Sequence, residues 1–184
     1  MSALQIVLIG ILGPVILLVS RRSLARPRSH GFWRFWAFAL TLYLIVSAIP
    51  VWFANPGSLR QVVSFALLGL SLVYVIGAVW LLRRHGGRMK RSETSGTLRF
   101  EQTGRIVSQG LYRYIRHPMY GSLLLLAWGS WLKLPTVWGT AIGVLTTLAL
   151  VVTARIDERE CREVFGEEYT AYMQRTRLFV PFLF

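Results

Sequence analysis

Long apolar runs nearly free of charge constrain this chain more than any other feature. About 20 residues of helix cross a hydrocarbon layer of about 30 Å, and a lipid-exposed segment must satisfy its own backbone hydrogen bonds. Ala3 to Ser20 carries no charge, Phe32 to Phe53 carries only Arg34, and Leu59 to Leu82 carries only Arg60. Met119 to Ala154 carries only Lys133, just before Pro135. That last run is too long for one helix and reads as a tight hairpin. The expectation is an all-α integral membrane protein with about five transmembrane helices, near 3–20, 32–53, 59–82, 119–133 and 136–154. They form a single membrane domain over residues 1–184, and the fourth is the shortest. Arg21 and Arg22 follow the first apolar run rather than precede it, so it reads as a retained span and not a cleaved signal.

Composition agrees. Hydrophobic residues make up 54% and charged residues 16%, with a mean hydropathy of +0.49. A small soluble domain needs more polar surface than that. Cys161 is the one cysteine, which leaves no intrachain disulfide and no cysteine-based metal cluster.

The net charge of +13 invites a nucleic-acid reading, but its distribution argues for a bilayer. Residues 21–34 hold Arg21, Arg22, Arg26, Arg28 and Arg34. Residues 83–118 hold nine further basic side chains and 155–184 another five. Only Arg60 and Lys133 fall at the opposite ends of the spans. The positive-inside rule then predicts a multi-pass protein with its N-terminus outside and its C-terminus in the cytoplasm. The basic segments would face anionic lipid, and no nucleic-acid partner is expected. All eight acidic residues fall on the same predicted cytoplasmic side, six of them between Asp157 and Glu168. Polar chemistry is therefore expected in two cytoplasmic segments, 83–118 and 155–184.

Within 83–118, Thr97–Phe100 reads as extended and Gly104–Val107 as a second short strand or a turn. From Arg155 to about Met173 the residues favour a C-terminal helix that continues the fifth span, with Gly166 as a point for a kink. Dinucleotide, P-loop, zinc-protease and serine-hydrolase motifs are absent. His30, His85 and His117 lack metal-ligand spacing, and no metal is expected.

Two blocks remain. In Gly110-Leu-Tyr-Arg-Tyr-Ile-Arg-His-Pro-Met-Tyr-Gly121, Pro118 suits the first turn of the fourth helix, whose free N–H groups can receive an oxygen ligand. Tyr112, Tyr114 and Tyr120 offer aromatic faces to a cation. The same residues also fit an interfacial tyrosine belt, snorkelling arginines and a histidine that caps a helix. In Arg155-Ile-Asp-Glu-Arg-Glu-Cys-Arg-Glu-Val-Phe-Gly-Glu-Glu-Tyr169, the pairs Arg155–Glu158 and Arg159–Glu163 fit a salt-bridged exposed helix. Cys161 reads there as a small packing residue.

Together the blocks resemble the isoprenylcysteine carboxyl methyltransferase family, as a short member of prokaryotic type. The resemblance rests on Gly110-Leu111-Tyr112, Arg116-His117-Pro118-x-Tyr120-Gly121, Phe165-Gly166-Glu167-Glu168-Tyr169-x-x-Tyr172 and Pro181, and covers about residues 95–184. It implies an S-adenosyl-L-methionine-dependent membrane methyltransferase whose acceptor is a lipidic carboxylate, such as that of a prenylated cysteine. For the cofactor it implies Thr97, Gly104, Arg105, Ile106, Val107, Tyr112, His117, Pro118, Met119 and Tyr120. It also implies an acceptor-holding Arg and a cofactor-holding Glu on the last helix, either Arg155 with Glu158 or Arg159 with Glu163.

Methyl transfer from a sulfonium to an ionised carboxylate needs no general base, only alignment and exclusion of water. Three other readings stay open: methyl transfer to a phospholipid amine or other small lipid, a sterol-type NADPH reductase, and a non-enzymatic membrane protein.

Overall fold

The computed structural model describes residues 2–87 and 103–181. Six α-helices account for most of them: α1 (Ala3–Leu24), α2 (His30–Ala48), α3 (Leu59–His85), α4 (Pro118–Lys133), α5 (Val137–Phe165) and α6 (Glu167–Arg175). Local chemistry sets their starts. Ser2, Ser29, Ser58 and Thr136 each accept a backbone N–H from the first turn of the helix that follows, which satisfies a donor the helix itself cannot. Pro118 occupies the first position of α4, where its missing N–H costs nothing.

Four helices, α1, α2, α3 and α5, are long and apolar enough to cross a membrane. With 16 residues, α4 is about 24 Å long at 1.5 Å per residue, shorter than the hydrocarbon layer. The five apolar runs thus become four full-length candidate spans and one shorter helix between them. α5, at 29 residues, is about 43 Å long and overhangs such a layer by about two turns. Arg155, Asp157, Glu158 and Glu160 sit on that overhang.

α4 packs against α3 and α5, and α2 packs against α1, α4 and α5. Lipid supplies no hydrophobic force between helices, so close contact and polar bonds must hold them together. Gly129 lets α4 approach α3 so closely that an added Cβ would stand 3.1 Å from the Leu68 side chain. The Ser64 and Ser71 hydroxyls donate across that interface to the carbonyls of Gly129 (2.7 Å) and Ser122 (2.8 Å). Leu4, Ile6, Leu18, Leu72, Ile76 and Leu148 are more than half exposed, as expected of side chains that face acyl chains rather than water.

The kink at Gly166 is present. Its φ of +56° and ψ of −133° end α5 and turn the chain into α6. After α6 the chain returns along the start of α4. Ile115 and Arg177 form a parallel bridge, the Arg116 N–H donates to the Arg177 carbonyl (2.8 Å), and the His117 N–H donates to that of Leu178 (3.1 Å). Phe179 is thereby buried with Tyr120, Leu150 and Ala154.

Of the strand or turn expected at Gly104–Val107, the turn is what forms. The N–H groups of Gly104 and Arg105 both bond the Gly86 carbonyl at the end of α3, at 2.7 and 3.2 Å, so the segment bends there and has no strand partner among the described residues. Thr97 and the extended stretch expected at 97–100 lie outside the described residues.

Candidate functional site

The α3 end, the α4 start, the α5 overhang and α6 enclose one cavity of about 740 Å³, counting its open mouth. Its wall is built in sequence order. Leu82 comes from the last turns of α3, and Thr103, Arg105, Ile106 and Val107 from the bend pinned to Gly86. Tyr112 comes from the 3-10 turn Gly110–Arg113, and Arg116, His117, Pro118, Met119 and Tyr120 from the entry into α4. Asp157, Cys161 and Phe165 follow at four-residue spacing, which places them on one face of α5. Tyr169 and Tyr172 close the cavity from α6.

The entry into α4 is not a simple helix cap. His117 is the N-cap residue by position, yet its side chain makes no capping hydrogen bond. The imidazole stacks on Tyr120 with centroids 5.3 Å apart and planes 19° apart. Its Nδ1 faces Asp157 Oδ2 at 3.6 Å and its Nε2 faces Glu158 Oε1 at 3.7 Å. That Nε2 is buried and makes no hydrogen bond among the described residues. The Tyr120 hydroxyl donates to Asp157 Oδ2 at 3.3 Å, and Cys161 Sγ stands 3.8 Å from Asp157 Oδ1. Cys161 is therefore a wall residue of the cavity rather than packing inside the bundle.

Behind this floor is a buried ion pair. Arg116 Nε donates to Glu158 Oε1 at 2.7 Å, and the two side chains are 8% and 2% exposed. Arg116 Nη1 also donates to the carbonyls of Met173 (3.1 Å) and Thr176, so one guanidinium ties α5 to the returning C-terminal segment. Arg155 reaches the other oxygen of Glu158 at 3.2 Å from a largely exposed position. On α6, the Tyr172 hydroxyl donates to the Tyr112 carbonyl at 2.6 Å. Burial pushes the phenols of Tyr169 and Tyr172 well above their ordinary range, so both stay neutral donors near pH 7.

The residues named from sequence divide clearly. Arg105, Ile106, Val107, Tyr112, His117, Pro118, Met119 and Tyr120 converge on the cavity. Gly104 does not line it but carries the hydrogen bond that fixes the bend. Of the two Arg–Glu pairs, Arg155–Glu158 forms, while Arg159 and Glu163 are exposed; none of these four residues lines the cavity. The reason is helical phase: Asp157 and Cys161 take the inward face, and Arg159 and Glu163 stand about half a turn away. Asp157, Cys161, Phe165, Tyr169 and Tyr172 were not named as site residues. The i, i+4, i+8 stripe from Asp157 to Phe165 hinted at the first three, and Phe165, Tyr169 and Tyr172 stand in the motif that carries the family resemblance.

The pattern of the phospholipid methyltransferase family matches residues 59–168 of the chain. Methanethiol S-methyltransferase 1 of Bradyrhizobium diazoefficiens is 30% identical over 71 residues, covering 39% of this chain and 24% of that protein. A probable protein-S-isoprenylcysteine O-methyltransferase of Oryza sativa subsp. japonica is 32% identical over 90 residues, covering 47% and 46%. Protein-S-isoprenylcysteine O-methyltransferase B of Arabidopsis thaliana is 28% identical over 87 residues, covering 47% and 44%. The matched region spans between a quarter and a half of these relatives. No solved structure matches the chain.

Proposed function

The chain belongs to the phospholipid methyltransferase family, and from that premise we propose that it transfers a methyl group from S-adenosylmethionine to an apolar, lipidic acceptor at the cytoplasmic membrane face. The observation that carries this reading is the aromatic cavity at the α4 start, with Tyr112, His117, Tyr120, Tyr169 and Tyr172 around the Asp157 carboxylate.

The residues present fit the donor. Aromatic faces and one half-buried carboxylate suit a molecule bearing a sulfonium and an ammonium, and the His117 Nε2, 3.7 Å from Glu158 and beyond hydrogen-bond distance, can take a closer polar partner. S-adenosylmethionine, when bound, supplies the electrophilic methyl on its sulfonium. Tyr112 and Tyr120 would flank that cation, Asp157 would take the ammonium, and Met119, Val107 and Leu82 would keep water from the apolar parts. Arg116 and Glu158 would hold this floor rigid from behind. A preorganised, water-poor site of this kind favours a displacement in which opposite charges vanish.

For a carboxylate acceptor of the isoprenylcysteine kind, the candidate cation is Arg105: it shares the cavity wall with Arg116, which is engaged by Glu158 and the Met173 and Thr176 carbonyls, while Arg155 and Arg159 stand outside. A thiol acceptor is the second reading. It is favoured by the likeness to methanethiol S-methyltransferases and by the His117–Asp157 pair, which could receive a thiol proton.

Thermal unfolding of the detergent-purified protein with S-adenosylhomocysteine, and in parallel with NADPH, tests the donor. A ligand at about 100 times its Kd adds roughly 2.7 kcal/mol. A shift with S-adenosylhomocysteine that His117→Ala or Tyr120→Ala abolishes, without loss of fold, is expected. A shift with NADPH alone, or with neither, refutes the proposal. Methyl transfer to N-acetyl-S-farnesylcysteine against methanethiol then separates the two acceptors.

A further inference from the structure

His30 lies outside the cavity, and nothing in the reading above uses it. It opens α2, its side chain is fully buried, and its Nδ1 stands 3.0 Å from both carboxylate oxygens of Glu160 on α5. Asp157 precedes Glu160 by three residues, so α5 presents two carboxylates side by side on one stretch of surface. One nitrogen of His30, one oxygen of Asp157 and one of Glu160 all lie within 4.8 Å of one another. Asp157 is therefore shared. On one side it faces His30 of α2; on the other it meets the Tyr120 hydroxyl at 3.3 Å and His117 Nδ1 at 3.6 Å.

We infer that His30 is a positioning residue for the donor site: from behind α5 it holds both oxygens of Glu160, and so keeps the neighbouring Asp157 carboxylate turned toward His117 and Tyr120 in the cavity. The inference rests on the donor-binding reading above. Two carboxylates this close repel, more strongly in a low-dielectric setting, unless each is turned toward donors of its own. For Glu160, His30 supplies one such donor through Nδ1, while its Nε2 is buried and makes no hydrogen bond among the described residues. Without the imidazole, Glu160 is no longer held and crowds Asp157, which turns away from it. The cavity floor then changes shape although no residue touching the donor has been altered.

The test is the dissociation constant of S-adenosylhomocysteine for the full chain in detergent. It is measured for the wild type, His30→Gln, Asp157→Asn and the double variant, with the unfolding temperature recorded for each. His30→Gln is expected to weaken binding by roughly tenfold, within the range of couplings in one polar network. In the Asp157→Asn background, His30→Gln should add no further loss. Glu160→Gln combined with His30→Gln should recover affinity toward the wild type, because one of the two opposed charges is then gone. A packing role would predict the reverse: losses that add in the double variant, no recovery with Glu160→Gln, and affinity that follows the unfolding temperature. Any of these overturns the inference. If His30→Gln does not fold, the His30→Gln, Glu160→Gln pair carries the same test, with near-wild-type affinity expected and a tenfold loss refuting it. A wild type that fails to bind S-adenosylhomocysteine overturns the donor reading itself, and this inference falls with it.

Discussion

Arg116 joins three parts of the molecule, and replacing it with methionine should show how much of the site depends on one guanidinium. The side chain is 8% exposed and bonds Glu158 at 2.7 Å, and it also donates to the carbonyls of Met173 and Thr176. Methionine keeps much of the length and removes the charge. Breaking a buried pair by deleting one member costs about 3–5 kcal/mol, because the remaining charge is left desolvated. Glu158 would retain Arg155 at 3.2 Å, but that side chain is 57% exposed and compensates weakly through water. His117 at 3.7 Å would also remain, which pulls the expected loss to the lower end of that range, about 3 kcal/mol. Glu158→Gln should cost less, about 1–2 kcal/mol, since the amide can still accept from Arg116 and the carbonyl bonds persist. The double variant should cost less than the two singles together. Unfolding curves in mixed detergent micelles give the global figure. Hydrogen exchange at the Arg116 and His117 amides, which bond the Arg177 and Leu178 carbonyls, reports whether the C-terminal segment detaches first. A loss below about 1 kcal/mol for Arg116→Met, or strict additivity with Glu158→Gln, would refute the view that this pair fastens the floor of the cavity.

Two further outcomes follow from the geometry. Gly166→Ala meets no steric obstacle, since nothing lies within 4 Å of the added Cβ, but φ of +56° with ψ of −133° strains any L-residue. A loss of about 1–3 kcal/mol is expected, together with weaker S-adenosylhomocysteine binding as α6 withdraws Tyr169 and Tyr172; unchanged binding and stability would show that α6 does not need this turn. At alkaline pH, the raised phenols of Tyr169 and Tyr172 mean that the unfolded chain releases their protons first. Their stabilising contribution is then complete below about pH 10 and declines above it, and a Tyr169→Phe, Tyr172→Phe variant should lose that decline in pH-dependent unfolding.

Much of the architecture needed only the sequence. An apolar run nearly free of charge can do little except form a helix in lipid or in a core: the runs 3–20 and 59–82 reappear as α1 and α3 with a few residues added at their C-terminal ends, and 32–53 as α2, which begins two residues earlier and stops at Ala48, where a 3-10 turn follows. Ser29, Ser58, Thr136 and Pro118 mark helix starts through chemistry contained in a single turn. The convergence of Arg105 to Val107 with Tyr112 and His117 to Tyr120 was legible through the family resemblance, which a nearly contiguous motif ending on a helix start carries.

The α5 contribution was not legible. Arg155 to Glu163 alternates charges in every direction around a helix, and spacing alone does not say which face turns inward. That phase is fixed by distant contacts: Arg116 drawing in Glu158, and the buried His30, 130 residues earlier in the chain, engaging Glu160. Asp157 therefore enters the cavity, and Arg159 and Glu163 remain outside it. Periodicity within a segment determined what each helix is, whereas the identity of the site's carboxylate depended on ion pairs between helices, which exist only once those helices have packed.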